Sequence, residues 1–152
     1  MTKHSNSSKH QNPYLPHPAR IIRTLPQIPD HQLFQIRFEE EEMLKNFTYR
    51  PGQFVMLSVI GTGEAPISIS SSPTRPGIIE LCVRRIGRVT RALFDLPPNA
   101  LVGIRGSYGN GFPIEQLEGN NLLIVAGGLG MAPLRSLVWY ALDNRSMFND
   151  II

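Results

Sequence analysis

The chain has 152 residues, enough to bury a sizeable core as one domain or as one domain with part of another. Fifteen basic residues stand against 12 acidic ones for a net charge of +3, but the basic residues are scattered and the densest charge run is acidic, Glu39 to Glu42, so no nucleic-acid surface is indicated. Cys82 is the single cysteine, which excludes a disulfide within the chain, a Cys-x-x-Cys zinc site and an iron–sulfur cluster held by this chain alone. No apolar run is long enough to span a bilayer, and the polar start, without a secretory-type apolar core, suggests a cytoplasmic protein.

In chain order, residues 1–18 read as a disordered tail dominated by Ser, Asn, Gln, His and Pro. His4, His10 and His17 lie there, and a flexible polar tail explains them more simply than a metal site. The acidic run at 39–42 reads as a solvated loop. From 19 onward the pattern is strand, turn, strand. "ARIIRTL" is β-branched; in "LFQIRF" Phe34, Ile36 and Phe38 share a face; "QFVMLSV" and "PISISS" are separated by the turn "IGTGEA". In "GIIELCVRRI" Ile79, Leu81 and Val83 face one way and Glu80, Cys82 and Arg84 the other, and "ALVGIRG" is a sixth strand. Short strands at this spacing predict a closed antiparallel barrel. One helix interrupts it in "RVTRALFDLPP", with Val89, Ala92, Leu93 and Leu96 on one face and Pro97-Pro98 ending it.

After "GNN" at 119–121 the pattern changes. "LLIVAG" is a continuous apolar run, expected of a strand buried on both faces of a parallel sheet. A glycine-rich turn follows, then a helix with Leu134, Leu137, Val138, Ala141 and Leu142 at helical spacing and Pro133 in its first turn. "DNRSMFND" reads as loop, and Ile151-Ile152 as the start of a second parallel strand.

Three stretches suit a nucleotide. In "GGLGMAP", Gly127, Gly128 and Gly130 free backbone N–H groups at a helix N-terminus for phosphate, although a tight strand-to-helix connection would also need glycine. "RRIGRVTRAL" sets Arg84, Arg85, Arg88 and Arg91 around another helix start; a capped surface helix with solvated arginines is the alternative. "EAPISISSSP" offers short hydroxyl side chains along a Pro-stiffened strand, which could line a flat ring system with Ser68 giving a hydrogen bond.

Taken in order, "YRPGQFVMLSV", "APISISSSP", "RRIGRVTRAL", "GSYGNGFP" and "VAGGLGMAPLRSL" resemble the ferredoxin–NADP reductase superfamily. More narrowly they resemble FAD/NAD-binding electron-transfer (gamma) subunits of sulfhydrogenases and other nickel–iron hydrogenases, and the corresponding subunits of anaerobic sulfite reductase and dihydroorotate dehydrogenase. The resemblance implies a mainly β fold: an antiparallel Greek-key FAD-binding β-barrel over 19–115, then the truncated β-α start of a parallel α/β NAD(P)-binding domain over 119–152. It implies that Ala65, Pro66, Ile67 and Ser68 run along the flavin, with Ser68 near its reactive nitrogen. Cys82, Val83 and Arg84 would border FAD, and Gly87, Val89 and Thr90 would hold its pyrophosphate. Gly109, Asn110 and Gly111 would lie between flavin and nicotinamide. Gly127, Gly128, Gly130, Ala132 and Pro133 would take the pyrophosphate of NAD(P)H. Electrons would pass from NAD(P)H through FAD to an iron–sulfur or hydrogenase-type partner subunit, with no iron–sulfur cluster and no metal on this chain.

Many relatives have Arg where this chain has Ala65 and an aromatic residue where it has Ile67, so pyrophosphate charge should fall to Arg84 or Arg85. Relatives also continue into further parallel strands and a cysteine cluster. Residues 119–152 are therefore expected to bind NAD(P)H weakly and to be mobile or to lean on the barrel. The alternatives are a truncated, catalytically idle fragment that at most binds FAD, and an unrelated β-barrel interaction module.

Overall fold

The structure is a computed structural model and describes residues 12 and 14–152. His4 and His10 lie outside the described residues. His17 and Pro18, placed in the tail by the sequence, belong instead to the first strand, β1 (His17–Ile28). There they pair with Ile104 and Gly103, and His17 Nδ1 hydrogen-bonds Glu40 at 3.0 Å.

β1 is followed by β2 (His31–Phe38), α1 (Glu41–Asn46), β3 (Phe54–Val59), β4 (Gly63–Ser68), β5 (Ile79–Arg84), α2 (Arg88–Phe94), β6 (Leu101–Tyr108), α3 (Ile114–Leu117) and α4 (Met131–Asp143). Alternation makes the strands. Phe34, Ile36 and Phe38 of β2, Val55, Leu57 and Val59 of β3, and Ile79, Leu81 and Val83 of β5 all turn into one core. A slip of one residue would expose each set, so burial fixes the register, with Phe34 opposite Leu81 and Ile36 opposite Ile79. Leu93 of α2 is buried in the same core, and Val89, Ala92 and Leu96 pack against it, the face that the sequence predicts.

The six strands pair antiparallel in the order β4-β3-β6-β1-β2-β5, so β6 returns to lie between β3 and β1, a Greek-key path. The barrel is not closed, contrary to expectation. β4 and β5 are the two free edges and meet through one bridge, Ile69 to Leu81. Ser70 donates its N–H to the Glu80 carbonyl beside that bridge (2.7 Å), after which the chain leaves the sheet as a loop. Away from the bridge, β4 and β5 separate.

Of the acidic run, Glu39 and Glu40 form the expected exposed turn, whereas the second half is helical. Glu41 and Glu42 open α1, where carboxylates favour the positive end of the helix, and Lys45 sits in its last turn. Met43 and Leu44 fasten the helix to the core.

The expected strand at Leu122–Ala126 is not formed. One parallel bridge, Leu122 to Ile151, takes its place. Leu122 is 5% exposed, while Leu123 and Val125 are 72% and 80% exposed. A continuous apolar run is buried on both faces only where strands and helices cover it, and among the described residues 150–152 are its one sheet neighbour. Leu122, Ala141 and Phe148 form a small second core. The inner face of α4 is also rotated from the expected one: Ala132, Ser136, Leu137 and Ala141 are buried and Leu142 is exposed.

α4 lies against the loop that joins β4 to β5. The Ser136 hydroxyl donates to the Ser71 carbonyl (2.5 Å), and Arg135 Nη1 donates to the Ser70 carbonyl (2.9 Å) and to Glu80 (2.5 Å). At the far end Asp143 accepts from Arg75 (2.7 Å) and from the Thr74 hydroxyl, and Arg75 stacks 4.1 Å from the Trp139 ring centre.

Candidate functional site

Where β4 and β5 separate, each has a neighbour on one side only, so their facing edges carry backbone N–H and C=O groups without ladder partners. A groove of about 520 Å³ opens there. Ala65, Pro66, Ile67 and Ser68 of β4, Cys82, Val83 and Arg84 of β5, then Ile86 and Thr90, form its barrel side; Leu129, Gly130, Ala132 and Pro133 form the other. Three stretches distant in sequence thus meet in one place.

Pro66 is tolerated because β4 is an edge strand that need not donate on its outer side. Ser68 is held opposite Phe54 of β3, and its hydroxyl has no hydrogen-bond partner among the described residues. The neighbouring serines do not line a ring site. Ser70 Oγ accepts the Cys82 N–H (3.3 Å), while Ser71 Oγ accepts the Glu80 N–H (3.0 Å) and bonds the Tyr49 hydroxyl (2.8 Å). These buried hydroxyls satisfy backbone N–H groups of β5. Burial pushes the Tyr49 phenol up to about 12, against the hydrogen bond from Ser71. Cys82 is half-buried, and burial raises its thiol above the ordinary value while the Arg135 charge opposes the shift. It therefore lines the groove as a neutral thiol.

Gly87 caps α2, but not as expected. Thr90 Oγ1 accepts the N–H groups of Gly87 (2.9 Å) and Ile86 (3.1 Å) and donates to the Gly87 carbonyl (3.2 Å). The two donors expected to face a pyrophosphate thus have partners within the turn, the Gly87 N–H at Thr90 Oγ1 and the Thr90 hydroxyl at the Gly87 carbonyl. What the turn leaves available is the backbone N–H of Arg88 and Val89, orphaned as in any first helical turn. Gly87 and Val89 flank the groove without lining it, and Val89 packs on the core. Arg85 is paired with Asp95 (2.7 Å), whereas Arg84, Arg88 and Arg91 form no ion pair among the described residues. Of the two candidates for phosphate charge, Arg84 is the one left free.

Gly109, Asn110 and Gly111 are elsewhere, in a turn packed on residues 50–53. The Gly109 carbonyl accepts from Gln53 Nε2 (2.6 Å), and Gly111 has φ +73° with its Cβ position 2.9 Å from Arg50 Cβ, so the fold alone demands glycine there. Gly127 and Gly128 also stand outside the lining. A Cβ on Gly127, Gly128 or Gly130 would meet nothing within 4 Å, so the space in front of this turn is open. The sequence does not single out Ile86, Leu129, Glu80 or Arg135. Leu129 lies inside the glycine motif and could have been found there; the Glu80–Arg135 contact joins distant residues and leaves no local pattern.

The groove therefore combines an apolar flat wall, a free hydroxyl, unpaired strand-edge groups and an unpaired arginine. That set suits a planar heteroaromatic ring with polar edges and an anionic tail.

Known proteins agree with this geometry. The chain is 50% identical over 133 residues to sulfhydrogenase 2 subunit gamma of Pyrococcus furiosus, a match covering 88% of this chain and 46% of that one. It is 40% identical over 107 residues to the probable dihydroorotate dehydrogenase B (NAD(+)) electron transfer subunit of Methanothermobacter thermautotrophicus, covering 65% and 39%. The chain thus spans less than half the length of these curated relatives. Its fold is that of a ferredoxin–NADP reductase: the Plasmodium falciparum enzyme superposes with a TM-score of 0.71 at 18% identity, over 90% of this chain and 56% of that one. Residues 27–112 match the family described as the oxidoreductase FAD-binding domain, and the chain belongs to that family.

Proposed function

We propose that the chain is the flavin-binding part of an electron-transfer subunit that passes electrons between NAD(P)H and an iron–sulfur or hydrogenase-type partner. The observation that carries this is the convergence of residues 65–68, 82–84 and 129–133 on one groove at the open seam of the sheet. The names of the relatives, a sulfhydrogenase subunit and an electron transfer subunit, support a partner. With one cysteine, these 152 residues cannot by themselves supply the ligands of an iron–sulfur cluster, so such a centre would lie outside them.

FAD, when bound, supplies a centre that takes two electrons together and gives them up singly. The chain's own residues bind and orient it. Ala65, Pro66 and Ile67 offer the apolar wall that excludes water from a ring. Ser68 offers a hydroxyl donor at the ring edge, and Arg84 with the N–H groups of Arg88 and Val89 neutralises a pyrophosphate. On the opposite side Gly127 and Gly128 front open space, which suits the phosphates of a nicotinamide nucleotide.

Reconstitution tests the flavin assignment: the purified chain is expected to be yellow, or to take up added FAD with quenching of flavin fluorescence. Colourless protein that leaves FAD fluorescence unchanged would overturn it.

A further inference from the structure

The groove has two walls, and only one belongs to the barrel. The second is the stretch Leu129 to Pro133 at the start of α4. Nothing in the small core of Leu122, Ala141 and Phe148 sets the distance between these walls, because none of those residues lines the groove. α4 is joined to the barrel next to the groove by Ser136, whose hydroxyl donates to the Ser71 carbonyl, and by Arg135. Its Nη1 is 2.5 Å from Glu80 Oε2 and 2.9 Å from the Ser70 carbonyl, and Glu80 is held from the other side by Gln35 Nε2 at 2.8 Å. The partners are well placed for the task. Glu80 shares the outward face of β5 with Cys82 and Arg84, which line the groove, and Ser70 follows the one bridge between β4 and β5. Both side chains are mostly buried, 29% and 16% exposed, so the pair is less screened than an exposed ion pair such as Lys45–Glu41.

We propose that Arg135 is a positioning residue for the flavin: through Glu80 and the Ser70 carbonyl it holds the Leu129–Pro133 wall against the open seam, so that residues beyond the barrel contribute to FAD affinity. This rests on the flavin assignment above. The ion pair between Arg75 and Asp143 holds the opposite end of α4, near the helix C-terminus, and serves as the internal control. Loss of that clasp leaves the wall at the helix start in place.

The experiment is titration of the full chain with FAD, followed by fluorescence quenching and by the visible absorption of the bound flavin, for wild type, Arg135→Gln, Arg135→Lys and Arg75→Gln. Arg135→Gln is expected to weaken FAD binding about tenfold, equivalent to about 1.4 kcal/mol, and to move the flavin spectrum toward that of free FAD. Arg135→Lys, whose ammonium can make both bonds that Nη1 makes, is expected to restore affinity and spectrum. Arg75→Gln is expected to match wild type in both. Should Arg135→Gln fail to fold by circular dichroism, Arg135→Lys compared with Glu80→Gln carries the test, the first expected near wild type and the second weakened. Wild-type affinity and spectrum in Arg135→Gln would overturn the positioning role and leave the flavin assignment standing. An equal loss in Arg75→Gln would overturn it too, by showing that any loosening of α4 suffices. A wild-type chain that takes up no FAD would remove both.

Discussion

Residues 17–112 gather fifteen buried apolar residues into one core, whereas 119–152 gather three, Leu122, Ala141 and Phe148. The first region is held by apolar burial that scales with area; the second buries less, with Ala132 and Leu137 beside its small core, and adds polar bonds to the first through Ser71, Ser70, Glu80, Thr74 and Arg75. The contrast teaches that a segment with only a small core of its own can be ordered where a neighbour presents partners for its polar face. It also implies a hierarchy: α4 needs the barrel, and the barrel does not need α4.

The hierarchy can be broken most forcefully at Phe34, which is 2% exposed and packs edge-on against Phe94 at 5.5 Å between ring centres. Phe34→Ala should cost about 3–5 kcal/mol, and in urea the α4 signal should vanish in the same transition as the barrel. A helix that outlives the strands would contradict the dependence. A smaller effect should come from Tyr49, on the barrel side of the junction. Its phenol ionises near 10 when unfolded and about 12 when folded, so the folded state keeps a proton that the unfolded chain loses. Stability is then whole below pH 10 and declines as pH rises toward 12, by about 2–3 kcal/mol at the far end. Denaturant midpoints across that window should show the decline, and Tyr49→Phe should flatten it. The smallest effect isolates the second region. Ser136 is fully buried, and Ser136→Ala leaves the Ser71 carbonyl without that donor, a cost of about 1–2 kcal/mol. Amide exchange should quicken in α4 while the strands keep their protection. Uniform quickening throughout would show one cooperative unit instead of two.

The sequence is most legible where a single period dictates the outcome. Alternation at 33–38 and 79–84 marks strands because an inward apolar residue has one face to occupy, and the helix at 88–94 announces itself by its spacing and its prolines. The groove residues at 65–68 and 82–84 are legible through family motifs. Legibility fails where the outcome depends on what lies across the fold. The run at 122–126 has the composition of a buried strand, but its state depends on neighbours that composition does not reveal. The hydroxyl of Thr90 reads in the sequence as a phosphate donor, and its bonds to the backbone of the Gly87 turn become visible only in the fold. The buried face of α4 departs from the expected one because its apolar spacing is ambiguous, and Ser136 turns inward to meet a carbonyl far away in sequence. The open barrel has a related reason: strand count is visible in sequence, but the separation of β4 from β5 is not.

The lone rung between Leu122 and Ile151 has a further consequence. Leu123 and Val125 project their apolar side chains into solvent beside backbone groups that a single neighbour cannot saturate. An edge of that kind has the geometry that a further parallel strand would complete, laid beside the rung already begun.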